Sequence, residues 1–275
     1  MPNFIVGARL HDYGKGTPDE LFGQVSADGF AAVQLAYKKC VPTVKSYADV
    51  TDALVAETVA AEKAHRIQVA VLGTYGELAI NDESRLCNVA DFKSQLAVCK
   101  ALGAGCIGTE TTAMSKQPAG TTRAQAQELL CRSLAEILPA AETLGVTVGI
   151  EPVTYHSMNS AAATRHILDT MRSPNLKVIF DMSNLVSAEN VDAQDRIWYD
   201  MGTLLGDQIV AVHFKGQAFA PDGSLLHTSL EESRTDYAGA FAMLRQLPQP
   251  ALPVLREEAV PARAASDIAF MKGFF

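Results

Sequence analysis

The chain has 275 residues, 48% of them hydrophobic and 20% charged, the composition of an ordinary globular protein; disorder, collagen and coiled coil are excluded. The 23 Lys+Arg against 31 Asp+Glu leave a net charge of −8, spread along the chain, which argues against nucleic acid or an anionic membrane surface as a partner. No apolar run reaches the length of a membrane span.

Read from the start, Met1 to Arg9 lacks a basic segment followed by an apolar one, so no signal peptide is expected. A first β-rich run covers 4–10. Thr17-Pro18-Asp19-Glu20 then supplies an N-cap, a proline at the first helical position and a capping-box Glu. Further β-rich runs fall at 32–36, 67–72, 106–109, 146–153, 176–181, 209–214 and 252–257. Their starts lie 28 to 43 residues apart, too far for hairpins and suited to crossover helices. Between the fourth and fifth, Leu130, Leu134, Ile137, Leu138, Ala141 and Leu144 mark the apolar face of a helix over 122–144. Pro139 predicts a kink or break in it, Gly145 its end, and Gly103 the end of the preceding helix. The polar stretch 216–237 reads as a long loop of the lid or binding kind. The five cysteines are odd in number and form no C-x-x-C, so small core residues in a reducing cytoplasm are expected rather than disulfides or a zinc cluster.

Eight strands alternating with helices predict a single (β/α)8 TIM barrel over 1–275. A doubly wound sheet would place a Gly-rich phosphate loop after its first strand, and Leu10-His11-Asp12-Tyr13-Gly14 is not one. In such a barrel the active site lies at the C-terminal ends of the strands. There the fifth strand delivers Glu151, the sixth Asp181, the seventh His213, and the eighth either Glu257 or Glu258. A lone acidic residue at a strand end is commonplace; four ionisable endings on consecutive strands are not. Three converging carboxylates repel unless a cation sits among them or some are protonated. Three carboxylates with one imidazole suit Mn²⁺, Mg²⁺ or Co²⁺. His11, Asp12, Gln34, Tyr75, Glu110, Thr111, His156 and Lys215 are further candidates around the same rim, for substrate hydroxyls or for loop stability. Trp198 reads as packing or an oligomer contact.

The motifs Gly-Ile-Glu151-Pro-Val, Val-Ile-Phe-Asp181-Met-Ser-Asn184-Leu, Val-His213-Phe-Lys215 and Pro-Val-Leu-Arg-Glu257-Glu resemble the xylose isomerase-like TIM-barrel superfamily. Within it they are most similar to the sugar phosphate isomerase/epimerase group of ketose 3-epimerases, inosose isomerase and inosose dehydratase. The resemblance implies one divalent metal, Mn²⁺ first, held by Glu151, Asp181, His213 and Glu257, with Glu151 and Glu257 as the acid/base pair. It favours Glu257 over Glu258, and it places His11, Glu110, His156, Asn184 and Lys215 among the substrate-binding candidates. Two positions depart from the pattern. Asn184 stands where ketose epimerases carry His, and Gly216 follows Lys215 where many relatives are acidic. Both bear on the substrate.

The expected activity is isomerisation or epimerisation of a sugar or cyclitol carbonyl through an enediolate, with no nucleic-acid or membrane partner and a homodimer or homotetramer as the assembly. A lyase of the inosose dehydratase kind is the alternative on the same site. An abasic-site endonuclease, which needs more metal ligands and a basic face, and a non-catalytic sugar-binding subunit stand behind it.

Overall fold

A computed structural model describes residues 1–275. Eight parallel strands close into a barrel: β1 (Asn3–Arg9), β2 (Ala32–Leu35), β3 (Gln68–Gly73), β4 (Cys106–Glu110), β5 (Val148–Glu151), β6 (Leu176–Asp181), β7 (Ile209–Phe214) and β10 (Ala251–Arg256). Sequential neighbours pair all the way round, and β10 closes the ring between β7 and β1. The (β/α)8 expectation therefore holds. The stretch 216–237 is not a plain loop: a small antiparallel hairpin, β8 (Gly216–Phe219) and β9 (Leu225–Thr228), rises from it beside the barrel mouth. Gly223, at φ +83°, supplies the turn.

The helices obey their local signals. Helix α1 (Pro18–Ala27) begins on the full Thr17/Glu20 capping box. After α2 (Tyr37–Cys40) and α3 (Asp52–His65), helix α4 (Ser84–Leu102) ends at Gly103 and α5 (Arg123–Leu144) at Gly145, both left-handed. Pro139 does not break α5, which runs unbroken across it. Helices α6 (Ala161–Met171), α7 (Gln194–Leu205), α8 (Tyr237–Leu244) and α9 (Ala264–Lys272) complete the outer layer. No helix is long and apolar enough to cross a membrane. Cys40, Cys99 and Cys106 are buried as expected of core thiols, whereas Cys87 is exposed and Cys131 only half-buried. Trp198 is buried edge-on against Phe180, so it packs the core.

Side-chain alternation positions the site. On β5, β6, β7 and β10 the even-numbered residues face the helices: Phe214 stacks on Tyr237 at 4.3 Å within an aromatic cluster that reaches Phe241, Phe270 and Phe274. The odd-numbered residues then face the barrel axis. Ile179, Ala211 and Leu255 belong to a small apolar cluster with Ala32, Ala70, Val71 and Cys106 that fills the barrel interior. Two glycines make room for it: a Cβ on Gly108 would come within 2.5 Å of Ile179 Cδ1, and one on Gly149 within 2.8 Å of Ile179 Cγ1. Ile179 is thereby the floor. One step further along the same strands come Glu151, Asp181, His213 and, just past the end of β10, Glu257.

Candidate active site

The four predicted residues meet. Glu151, Asp181 and His213 are buried and each offers a ligand atom within 4.8 Å of the others. His213 Nδ1 lies 3.2 Å from Glu151 Oε2 and 3.4 Å from Glu257 Oε1, so the two glutamates flank one imidazole nitrogen. Glu257 is the inward residue of its pair. Glu258 takes a left-handed backbone, φ +56°, and turns its half-exposed carboxylate to Arg9 at 3.0 Å.

Neighbouring groups hold this arrangement. The side-chain amide of Asn184 donates to Glu151 Oε1, and its backbone N–H donates to Asp181 Oδ1 at 2.8 Å. Asn184 thus orients two carboxylates. Lys215, next inward on the strand after His213, sets Nζ 3.1 Å from Asp181 Oδ2 and 3.6 Å from Glu257 Oε2. Arg9, at the end of β1, sits 3.7 Å from Glu257 and grips Asp12 through two nitrogens, and Asp12 accepts the N–H of Ala259 at 2.9 Å. Arg9 and Asp12 therefore pin the 257–259 turn to the first strand. Sequence reading named Asp12 as a lesser candidate and passed over Arg9; an arginine closing the first strand of a barrel whose last strand ends in two glutamates was the available signal.

The electrostatics follow from burial and neighbours. Burial disfavours charge on His213, but Glu257 and Glu151 outweigh it and lift the imidazole to about 9. Burial pushes Asp181 up to about 6, with the Lys215 ammonium opposing. Burial and the charges of Glu151 and Glu257 push Glu110 up to about 7. For Glu257 burial is overcome by His213, Lys215 and Arg9, which hold it well below the usual carboxylate range.

The donor set fits a divalent ion. Asp181 Oδ2 and both nitrogens of His213 are buried yet align with no hydrogen-bond partner. Asp181 Oδ2 and His213 Nδ1 meet charged neighbours, Lys215 and the two glutamates, without an aligned hydrogen bond, and carboxylates crowded in this way could hold a cation among them. Two carboxylates and one imidazole suit the harder first-row ions, no thiol joins the group, and Glu257 stands beside it, 3.4 Å from His213 Nδ1.

The remaining predicted residues line the approach. Glu110 ends β4 and is half-exposed, 3.9 Å from His156 Nε2. His156 is buried against Tyr155, its carbonyl oxygen taken by Arg123. Burial lowers His156 to about 4 and His11 to about 4, so both rings are neutral near pH 7. His11 stands edge-on to Tyr75, whose hydroxyl accepts from Gln34 at 3.0 Å.

Comparison with known proteins agrees with this architecture. A family model described as xylose isomerase-like TIM barrel matches residues 22–273. No curated protein matches by sequence. Among solved structures, a D-tagatose 3-epimerase-like protein superposes with TM-score 0.77 at 12% identity, over 100% of this chain and 97% of its own. The 3-keto-D-glucoside 4-epimerase YcjR from E. coli gives 0.73 at 17%, over 98% and 100%. The IolI protein with a bound zinc atom gives 0.74 at 14%, over 98% and 96%. The eight-strand closure, the helical jacket and the span of the family match together place this chain in the xylose isomerase-like TIM-barrel family.

Proposed function

We propose that the protein is a divalent-metal-dependent isomerase or epimerase acting on the carbonyl of a sugar or cyclitol. The buried group of Glu151, Asp181 and His213, whose ligand atoms lie within 4.8 Å of one another, with Glu257 3.4 Å from His213 Nδ1, carries the reading. The similar solved proteins support it: two are named as epimerases or epimerase-like, and one holds zinc. Mn²⁺ is the first choice of ion, with Mg²⁺ and Co²⁺ as substitutes.

Glu151, Asp181, His213 and Glu257 hold the ion. Bound there, a divalent ion polarises a carbonyl and offsets the charge that develops when the adjacent carbon loses its proton. The chain's own groups do the rest. Glu151 and Glu257 both reach His213 Nδ1, from different strands, and in this reading one removes a proton from one face of a carbon and the other returns one from the opposite face. That is epimerisation; return to the neighbouring carbon gives aldose–ketose exchange. Asn184 keeps the carboxylate of Glu151 aimed, and Lys215 supplies a fixed positive charge beside Asp181 and Glu257. Glu110, His156 and His11 receive substrate hydroxyls.

The test is proton exchange. Fructose, tagatose and scyllo-inosose are incubated in deuterated water with chelator-stripped protein, with and without added Mg²⁺, and read by NMR. Deuterium enters the carbon beside the carbonyl only in the metal-loaded sample. Equal exchange in stripped protein, or none with any sugar at any metal, overturns the reading.

A further inference from the structure

The barrel mouth has two lobes, and a single monosaccharide needs one of them. The space directly over the cluster is tight, about 10 Å³, bounded by Gln34, Tyr75, Glu110, Glu151, His213 and Glu257. It opens, past Tyr75 and Glu110, into a lobe of about 450 Å³ that His156 and Tyr155 also line. At the density of a packed solid a hexose displaces roughly 200 Å³, so this first lobe, which shares Tyr75 and Glu110 with the space over the cluster, is large enough for one sugar ring. On the other side of Tyr155, which lines both, lies a second lobe of about 600 Å³ between the 183–190 segment and the β8–β9 hairpin. Its inner wall is Asn184, the residue bonded to Glu151.

The second lobe is built for a neutral ring. Asn159 and Ser187 present an amide and a hydroxyl, and Tyr155 and Phe219 present aromatic faces, while the amide nitrogens of Asn184 and Gln217 are held by Glu151 and by the carbonyls of Ser183 and Val186. Hydroxyl partners combined with aromatic faces suit a pyranose, which has polar edges and apolar C–H faces. The lobe carries one cation, Arg123, which donates to the carbonyl of His156, and one carboxylate, Glu189, so its lining has no net charge. Leu225 and Tyr155 stand exposed at its edges and extend the apolar contact outward.

We infer that this second lobe binds a sugar ring linked to the reacting one, so that the substrate class is a keto-disaccharide or keto-glycoside rather than a free monosaccharide. The inference rests on the proposed carbonyl chemistry for its reacting half, and its test separates the two. Binding of fructose and of its glucosylated forms isomaltulose, leucrose and turanose is measured by titration calorimetry with Mg²⁺-loaded protein, beside solvent exchange by NMR. At least one glucosylated ketose binds about tenfold or more tightly than fructose. Ala188→Trp, which fills the lobe from the 183–190 segment, and Leu225→Trp, which fills it from the exposed hairpin, each remove that gain and leave fructose binding unchanged. Equal affinity for fructose and all three disaccharides in the unaltered protein overturns the inference, as does a gain that survives both substitutions. A gain abolished by the substitutions, with no exchange on any sugar, upholds the second lobe and overturns the carbonyl chemistry.

Discussion

The two halves of the barrel mouth are built on opposite principles. On β5, β6, β7 and just past β10 the inward strand ends are Glu151, Asp181, His213 and Glu257, all buried, the first three mutually in reach and Glu257 3.4 Å from His213. On β1 to β4 the ends are Arg9, the Gln34 amide, Gly73 and the half-exposed Glu110, with Lys39 nearby over the Tyr75 ring. One half concentrates desolvated negative charge; the other mixes one half-exposed carboxyl with an amide, a glycine and the cations Arg9 and Lys39. Buried carboxylates cost several kcal/mol each unless compensated, so stability alone gives no reason to collect them. In the proposed reading the asymmetry separates a reacting half from a half that receives the substrate.

Substitution across the two halves breaks or sharpens this contrast. Glu257→Gln is expected to lower kcat by about 10³-fold or more, the usual reach of a general acid/base. Glu110→Gln, on the β1 to β4 half, is expected to cost less than about tenfold and to fall on KM, as lost uniform binding does. Steady-state kinetics on any sugar that exchanges tests both; equal losses in kcat would erase the distinction between halves. Arg9→Gln bridges them. It frees Asp12 and the left-handed Glu258 together, and kcat is expected to drop about 10- to 100-fold through misplacement of Glu257, with partial recovery in Arg9→Lys.

The segment after β5 carries a pH signature. His156 titrates near 4 in the fold and near 6.5 when unfolded. Between those values the unfolded chain binds the extra proton, so its contribution to stability falls as pH drops from about 6.5 to about 4, by on the order of 2–3 kcal/mol. Thermal melts across that window are expected to fall less steeply for His156→Gln than for the unaltered protein. The smallest effect lies far from either half. The Arg132–Glu128 pair on α5 is exposed on both sides, and Arg132→Ala is expected to change stability by less than about 0.5 kcal/mol in denaturant titration.

Much of this was legible beforehand because strands and capped helices announce themselves locally. The alternation that turns Ile179 and Asp181 inward and Phe180 outward is a period-two pattern, and it carried the cluster as well as the fold. What stayed hidden depends on three-dimensional neighbours. The β8–β9 strands are four residues each, too short to show an alternation in a stretch that is otherwise polar, so 216–237 reads as loop. Pro139 was expected to kink or interrupt α5, and packing of the Leu134, Ile137 and Leu138 face against the barrel keeps the helix whole across it. Cys87 read as core because cysteine usually is, but it falls on the outer face of α4. Arg9 escaped notice since its partners, Glu257 and Glu258, lie at the far end of the chain.

Ile179, seated over Gly108 and Gly149, plugs the axial channel beneath the ion ligands. Traffic is therefore one-way in and the same way out: whatever leaves must clear the threshold before its successor arrives. Product and reactant contend for a single doorway, and reaction progress curves should bend early through competitive inhibition by accumulated product.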